Sequence, residues 1–150
     1  MLVKHADEVL TVGKNLDEVL SQLKHTDNFA DGTLKHIFSG EISKISKKAT
    51  GFHYEGLSGV EGEVIQITKQ PNKYGIYEAT VKISGKNKDR ISTFFPKNWT
   101  PQQVVDAINE AFDNKKLVSG NLYECTTKTG MKIQMSIISG KITSTWPLYN

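Results

Sequence analysis

Thr100-Pro101-Gln102-Gln103-Val104-Val105-Asp106-Ala107-Ile108-Asn109-Glu110-Ala111-Phe112-Asp113 carries the start signal and the buried face of a helix in one stretch. Thr100 reads as the N-cap. Pro101 falls at the first helical position, where its missing N–H costs nothing, and Gln103 completes a capping box. Val104, Val105, Ile108, Ala111 and Phe112 recur at the three- and four-residue spacing of a helix that buries one side. After it the period changes from helical to two. Residues 121–127, 131–138 and 141–146 read as strands, with turns at Thr129-Gly130 and Ser139-Gly140 between them. A helix leading into an antiparallel meander predicts an α+β fold. Upstream, strand patterns at 63–68, 76–83 and 91–95 are separated by turns at 71–75 and 85–88.

Nearer the N-terminus, Asn15 is placed to cap a helix with Glu18 at its third position, and Leu16, Val19, Leu20 and Leu23 form its apolar face. The Lys-x-x-Asp-Glu-Val-Leu pattern of residues 4–10 returns at 14–20, two copies and too few for a solenoid. Asp27-Asn28 and Asp31-Gly32 read as loop. The chain therefore divides into an N-terminal helical or linker segment, 1–33, and a main domain, 34–150. Residues 43–50 read as a polar linker, followed by glycine-punctuated loops to Gly62.

With 150 residues the chain is long enough for one real core, and its 37% hydrophobic and 23% charged content is that of an ordinary water-soluble domain. No apolar run reaches the ~20 residues of a membrane helix. The single cysteine, Cys125, excludes an internal disulfide and a cysteine-rich metal site, and its apolar neighbours predict a buried thiol. The net charge of +3 is unevenly spread: 1–33 hold six acidic and three basic side chains, 34–150 ten acidic and sixteen basic. That excess suits a phosphate-bearing partner. Eighteen of the nineteen cations are lysine, which attracts phosphate diffusely rather than gripping it as a fork.

Two histidines stand out in the basic part: His36 in Lys35-His36-Ile37-Phe38-Ser39-Gly40-Glu41-Ile42, and His53 in Thr50-Gly51-Phe52-His53-Tyr54. Glycines beside each let backbone approach a ligand closely. Lys88 follows, four residues before Ser92. Two imidazoles and an ammonium suffice to cut RNA without a metal: one imidazole takes the 2′-OH proton, the other protonates the leaving 5′-oxygen, and the cation stabilises the phosphate charge between them. The bland reading of Lys88 is a solvated turn residue, with Lys86 and Arg90 as alternative cations. Zinc is disfavoured at the histidines, because only Glu41 and Glu55 lie near in sequence and no His-x-x-x-His or cysteine pair exists. No cofactor is expected.

The order His-Ile-x-x-Gly-Glu, Gly-x-His, Lys-x-x-x-Ser, then threonine near proline with a final tyrosine resembles the EndoU endoribonucleases. Ser92-Thr93-Phe94-Phe95-Pro96-Lys97-Asn98-Trp99 is similar to their bacterial branch, the toxin domains of large secreted effectors such as contact-dependent inhibition proteins. The resemblance runs from Leu34 to Tyr149. It implies two small sheet lobes with a catalytic groove between them. It also implies His53 as general base, His36 as general acid and Lys88 as the catalytic cation, with Gly51, Ser92, Thr145 and Tyr149 binding substrate. Here Trp146, not tyrosine, precedes the proline, a departure from the viral relatives; Trp146 is expected to be a half-buried core residue. The implied activity is metal-independent cleavage of RNA, such as a tRNA loop, after uridine, leaving 2′,3′-cyclic phosphate and 5′-OH ends. The implied setting is delivery from the cell surface, action in the target cytoplasm as a monomer, and a cognate immunity protein acidic at its interface. The competing class is an inactive RNA- or protein-binding module on the same fold.

Overall fold

The computed structural model describes residues 15–150. His5 and the first copy of the short repeat lie outside the described residues. Within them run helices α1 (Leu16–Gln22), α2 (Thr33–Phe38) and α3 (Pro101–Asp113), and strands β1 (Glu41–Ile42), β2 (Ala49–Thr50), β3 (Gly62–Lys69), β4 (Tyr77–Ile83), β5 (Lys86–Asn87), β6 (Ser92–Phe94), β7 (Lys116–Ser119), β8 (Leu122–Thr126), β9 (Lys132–Ile138) and β10 (Lys141–Pro147). The arrangement is α+β, as the sequence predicts.

Local chemistry sets the helix starts. Asn15 accepts the Glu18 N–H at 2.9 Å, and Thr100 with Gln103 forms the complete capping box with Pro101 in the first turn. Val104, Val105, Ile108 and Ala111 are buried on α3. Full burial of aliphatic side chains of this size contributes about 1.5–3 kcal/mol each.

The strands make two main sheets. One is the meander β10-β9-β8-β7, antiparallel throughout. In the other, β4 is central: β3 pairs along one edge, while β6 and β5 share the opposite edge, β6 against Tyr77–Ala79 and β5 against Lys82–Ile83. A small hairpin, β1-β2, closes the stretch read as a linker. The strand β7 was not foreseen. Its four residues are all exposed, so it has no buried alternation to reveal it.

The described residues form two cores. The larger unites Ile37 and Phe38 of α2, the buried face of α3, and Cys125, Ile133, Met135 and Ile142 of the meander. Val19 of α1 and Phe29 are buried in the same core, and Phe29 bridges to Ile142 beside β10. The smaller gathers Ala49, Phe52, Tyr77, Ala79, Val81, Ile83 and Phe94. Neighbouring residues repeatedly split between them. Phe52, Tyr77 and Phe94 enter the small core, while Tyr54, Ile76 and Phe95 enter the large one. The chain thus crosses from lobe to lobe at three places, and one of them brackets His53.

Candidate active site

Backbone bonds fix His53 before any side chain does. Its N–H donates to Ile37 O at the end of α2 (2.7 Å), and its carbonyl accepts from Phe95 N–H just after β6 (2.9 Å). One residue earlier, Phe52 N–H donates to His36 O (2.8 Å). Residues 52–53 are therefore laced between α2 and β6, which places the two histidines side by side. Their ring centroids lie 6.3 Å apart.

That lacing needs unusual backbone. Gly51 and Phe52 both adopt positive φ, +82° and +72°. A Cβ on Gly51 would stand 2.3 Å from His36 O, so only glycine fits against the first histidine. Phe52 is held in its left-handed conformation by burial of its ring, edge-on to Phe94 at 5.1 Å and flat over Gly62.

Each imidazole uses the same nitrogen for support. His53 Nδ1 lies 2.8 Å from Thr93 O, and a carbonyl can only accept, so Nδ1 carries the proton and Nε2 is left with its lone pair. His36 Nδ1 lies 3.3 Å from the Glu41 carboxylate. The surroundings differ in charge. Burial holds His53 well below its ordinary value of 6.5, with Lys88 and His36 pushing the same way against the Thr93 carbonyl. Burial also lowers His36, but the hydrogen bond and charge of Glu41 oppose it. His53 is the more strongly neutral of the pair.

Lys88 completes the group. Its Nζ donates to Gly51 O (2.9 Å) and to Ser92 Oγ (3.1 Å), while Ser92 Oγ donates to Phe52 O (2.6 Å). Burial and the charge of Arg90 pull the lysine down to about 8. Of the alternative cations, Lys86 donates to Lys47 O and is exposed, as is Arg90. The structure therefore brings His36, His53, Lys88, Gly51 and Ser92 together.

Two residues named from the sequence have other partners. Thr145 is fully buried, and its hydroxyl donates to Gln134 O at 2.8 Å. Tyr149 donates to Gln70 O (2.9 Å), with Lys69 5.0 Å over its ring. Strand alternation turns Thr145 inward and its neighbours Ser144 and Trp146 outward. Trp146 is half-buried, and its ring lies 6.5 Å from that of His53, so the aromatic beside the site is this tryptophan. Ser144 shares its face. The bulge between Ile142 and Ser144 shifts the alternation, so Ile142 and Thr145 both face inward and Ser144 falls on the face of Trp146. His25 lies in the loop before α2, and its carbonyl accepts from Asn109. Cys125 is buried, and burial pushes its thiol up to about 11. Among the described residues no three His, Cys, Asp or Glu side chains converge as a metal-ligand set. No helix among them is long and apolar enough to cross a membrane.

Two lobes thus meet at paired histidines and a half-buried lysine. The model of the bacterial EndoU nuclease family matches residues 31–149, and the chain belongs to that family. It is also similar, at 43% identity over 135 residues, to a Bacillus cereus protein named "Toxin"; the match covers 87% of this chain and 25% of that relative. The chain thus spans about a quarter of the relative's length.

Proposed function

We propose that this domain is the RNA-cleaving part of a delivered toxin, acting without a metal and cutting after uridine. The observation that carries the reading is the unequal pair of imidazoles, both supported at Nδ1, with an ammonium beside them. Neutral His53 takes the 2′-OH proton through Nε2, and the ribose oxygen attacks its own phosphorus. His36, whose proton Glu41 helps retain, protonates the 5′-oxygen as it leaves. The products are a 2′,3′-cyclic phosphate and a 5′-OH. Attack is intramolecular, so little entropy is lost on reaching the transition state. Lys88 stabilises the charge on the phosphorane oxygens. Trp146 offers a ring for the base to stack on and Ser144 shares its face, while Ser92, fully buried with its hydroxyl between Phe52 O and Lys88, holds the lysine in place. A tRNA loop supplies an unstacked base and a 2′-OH free to align.

As the family match and the relative's name support a toxin, we infer a cognate immunity protein in the producing cell. Its acidic side chains face Lys35, Lys47, Lys48 and Lys88 over the groove, and it buries at least ~1,200 Å² in total. Delivery by a larger effector and action in the target cytoplasm belong to the same reading.

The test is incubation with total RNA and with a ribouridine oligonucleotide, in EDTA, beside His53→Ala. The reading expects cleavage by the wild type alone, with 3′ ends blocked until a 2′,3′-phosphatase opens them. Activity lost on chelation and restored by a divalent ion contradicts it.

A further inference from the structure

The meander has an outer face of which the catalytic reading uses only the β10 end. Its inner face carries Cys125, Ile133, Met135 and Thr145 into the core against α3. The outer face carries a straight row set by strand register: Trp146 of β10 opposite Gln134 of β9, Gln134 opposite Glu124 of β8, and Glu124 opposite Lys116 of β7. The row starts beside His53, where Trp146 lies. It ends in a cleft of about 680 Å³ whose lining includes Lys116, Lys128, Lys132 and Glu124 together with the exposed Leu117 and Val118. Three strand spacings of ~4.8 Å make the row about 14 Å long. At the ~3.4 Å rise of one stacked strand, that is about four nucleotides.

Charge at the far end favours a polyanion. Lys116 and Lys128 are exposed, Lys132 is half-exposed, and none of the three is ion-paired among the described residues. The one carboxylate in the row, Glu124, accepts from the Gln134 amide at 3.4 Å. Three ammonium groups against one carboxylate leave the cleft positive. Between Glu124 at the cleft and Trp146 lies the uncharged Gln134, and the row beside it carries Ser144, Ser136 and Leu122. A row that begins at the scissile position, stays polar and ends in unpaired lysines suits a single strand of RNA.

We propose that the outer face of the β7–β10 sheet is an extended subsite for the RNA strand that continues from the cut, with Lys116, Lys128 and Lys132 holding its phosphates. This rests on the ribonuclease reading above and adds to it that a long substrate is bound better than a short one. Nothing in the row performs chemistry. Its contribution is to affinity and to the length of RNA recognised.

The experiment compares the wild type with the variant carrying Lys116→Ala, Lys128→Ala and Lys132→Ala. The substrates are a uridine-containing dinucleotide and a deoxy decamer with one central ribouridine. The ratio of kcat/KM for decamer over dinucleotide is expected to fall about tenfold in the variant. Binding of the all-deoxy decamer, followed by fluorescence anisotropy, is expected to lose about 2 from its log–log salt slope, since each phosphate contact on a single strand contributes roughly 0.7. An unchanged ratio together with an unchanged slope overturns the subsite and leaves the β7 edge to a protein strand. If the wild type cuts neither substrate, the ribonuclease reading fails, while the anisotropy slope still decides whether these lysines hold a nucleic-acid strand.

Discussion

In the larger core, Val104, Val105 and Ile108 of α3 meet Ile133 and Met135 of β9 through regular helix and strand. Between α2 and β3, Gly40, Gly51, Phe52 and Gly59 all take positive φ, and the two hairpin strands are only two residues each. The regular half spends its residues on burial. The irregular stretch holds His53 in the fold by three main-chain bonds to α2 and β6 and supplies the site. Stability and chemistry are thus separable here: a cut in the first region should change how much protein is folded, and a cut in the second how fast it works.

The largest effect belongs to the histidines. His36→Ala and His53→Ala should each lower the cleavage rate of the folded fraction about 10²–10⁴-fold, as general acid and base losses do. The double variant should be little worse than either single one, because the two act as a unit. A single variant that keeps more than a tenth of the rate would break the contrast at its centre. Lys88→Met is expected next, with a loss of about 10²–10³ for a removed charge-stabilising donor. Ile108→Ala probes the other side of the contrast. It should cost about 2–5 kcal/mol by denaturant titration, while kcat of the folded fraction stays the same.

Gly51→Ala is the case in which the two regions should fail together. Its Cβ meets His36 O at 2.3 Å, and the position has φ +82°, so the variant should lose about 1–3 kcal/mol of stability as well as activity. Activity retained after Gly51→Ala would show that the histidine pair tolerates a displaced α2. A smaller effect follows from pH. His53 is held below 6.5 in the folded protein, so on acidification the unfolded chain takes up its proton first. Its contribution to stability is whole above 6.5 and is lost as pH falls from 6.5 toward the lowered folded value. The urea midpoint should therefore drop between pH 7 and 5, and drop less in His53→Ala.

What the sequence revealed follows the same division. Thr100, Pro101 and Gln103 announce the start of α3 because capping is local chemistry, and the strands of the meander show because one face is buried. The fully exposed β7 has neither signal. At the site, the histidine and lysine spacings were readable as motifs, and the structure puts His36, His53, Lys88, Gly51 and Ser92 within one group. The placement of Trp146 beside His53 depends on strand register, and the Glu41 contact on a five-residue return of the chain from His36. Neither is written in spacing alone. Thr145 and Tyr149 were named from the end of the motif, but Thr145 faces inward and Tyr149 ties to Gln70.

The pH dependence of kcat/KM on a short ribouridine substrate, measured in EDTA, tests the central claim most directly. An unequal imidazole pair gives a bell. Its rising limb comes from His53, held well below 6.5, and its falling limb from His36, lowered less because Glu41 opposes the burial. Both limbs should lie below pH 6.5, and Glu41→Gln should move the falling limb further toward acid and narrow the bell. A rate that climbs steadily through pH 7, or a falling limb indifferent to Glu41→Gln, would contradict a mechanism in which these two histidines share the proton transfers.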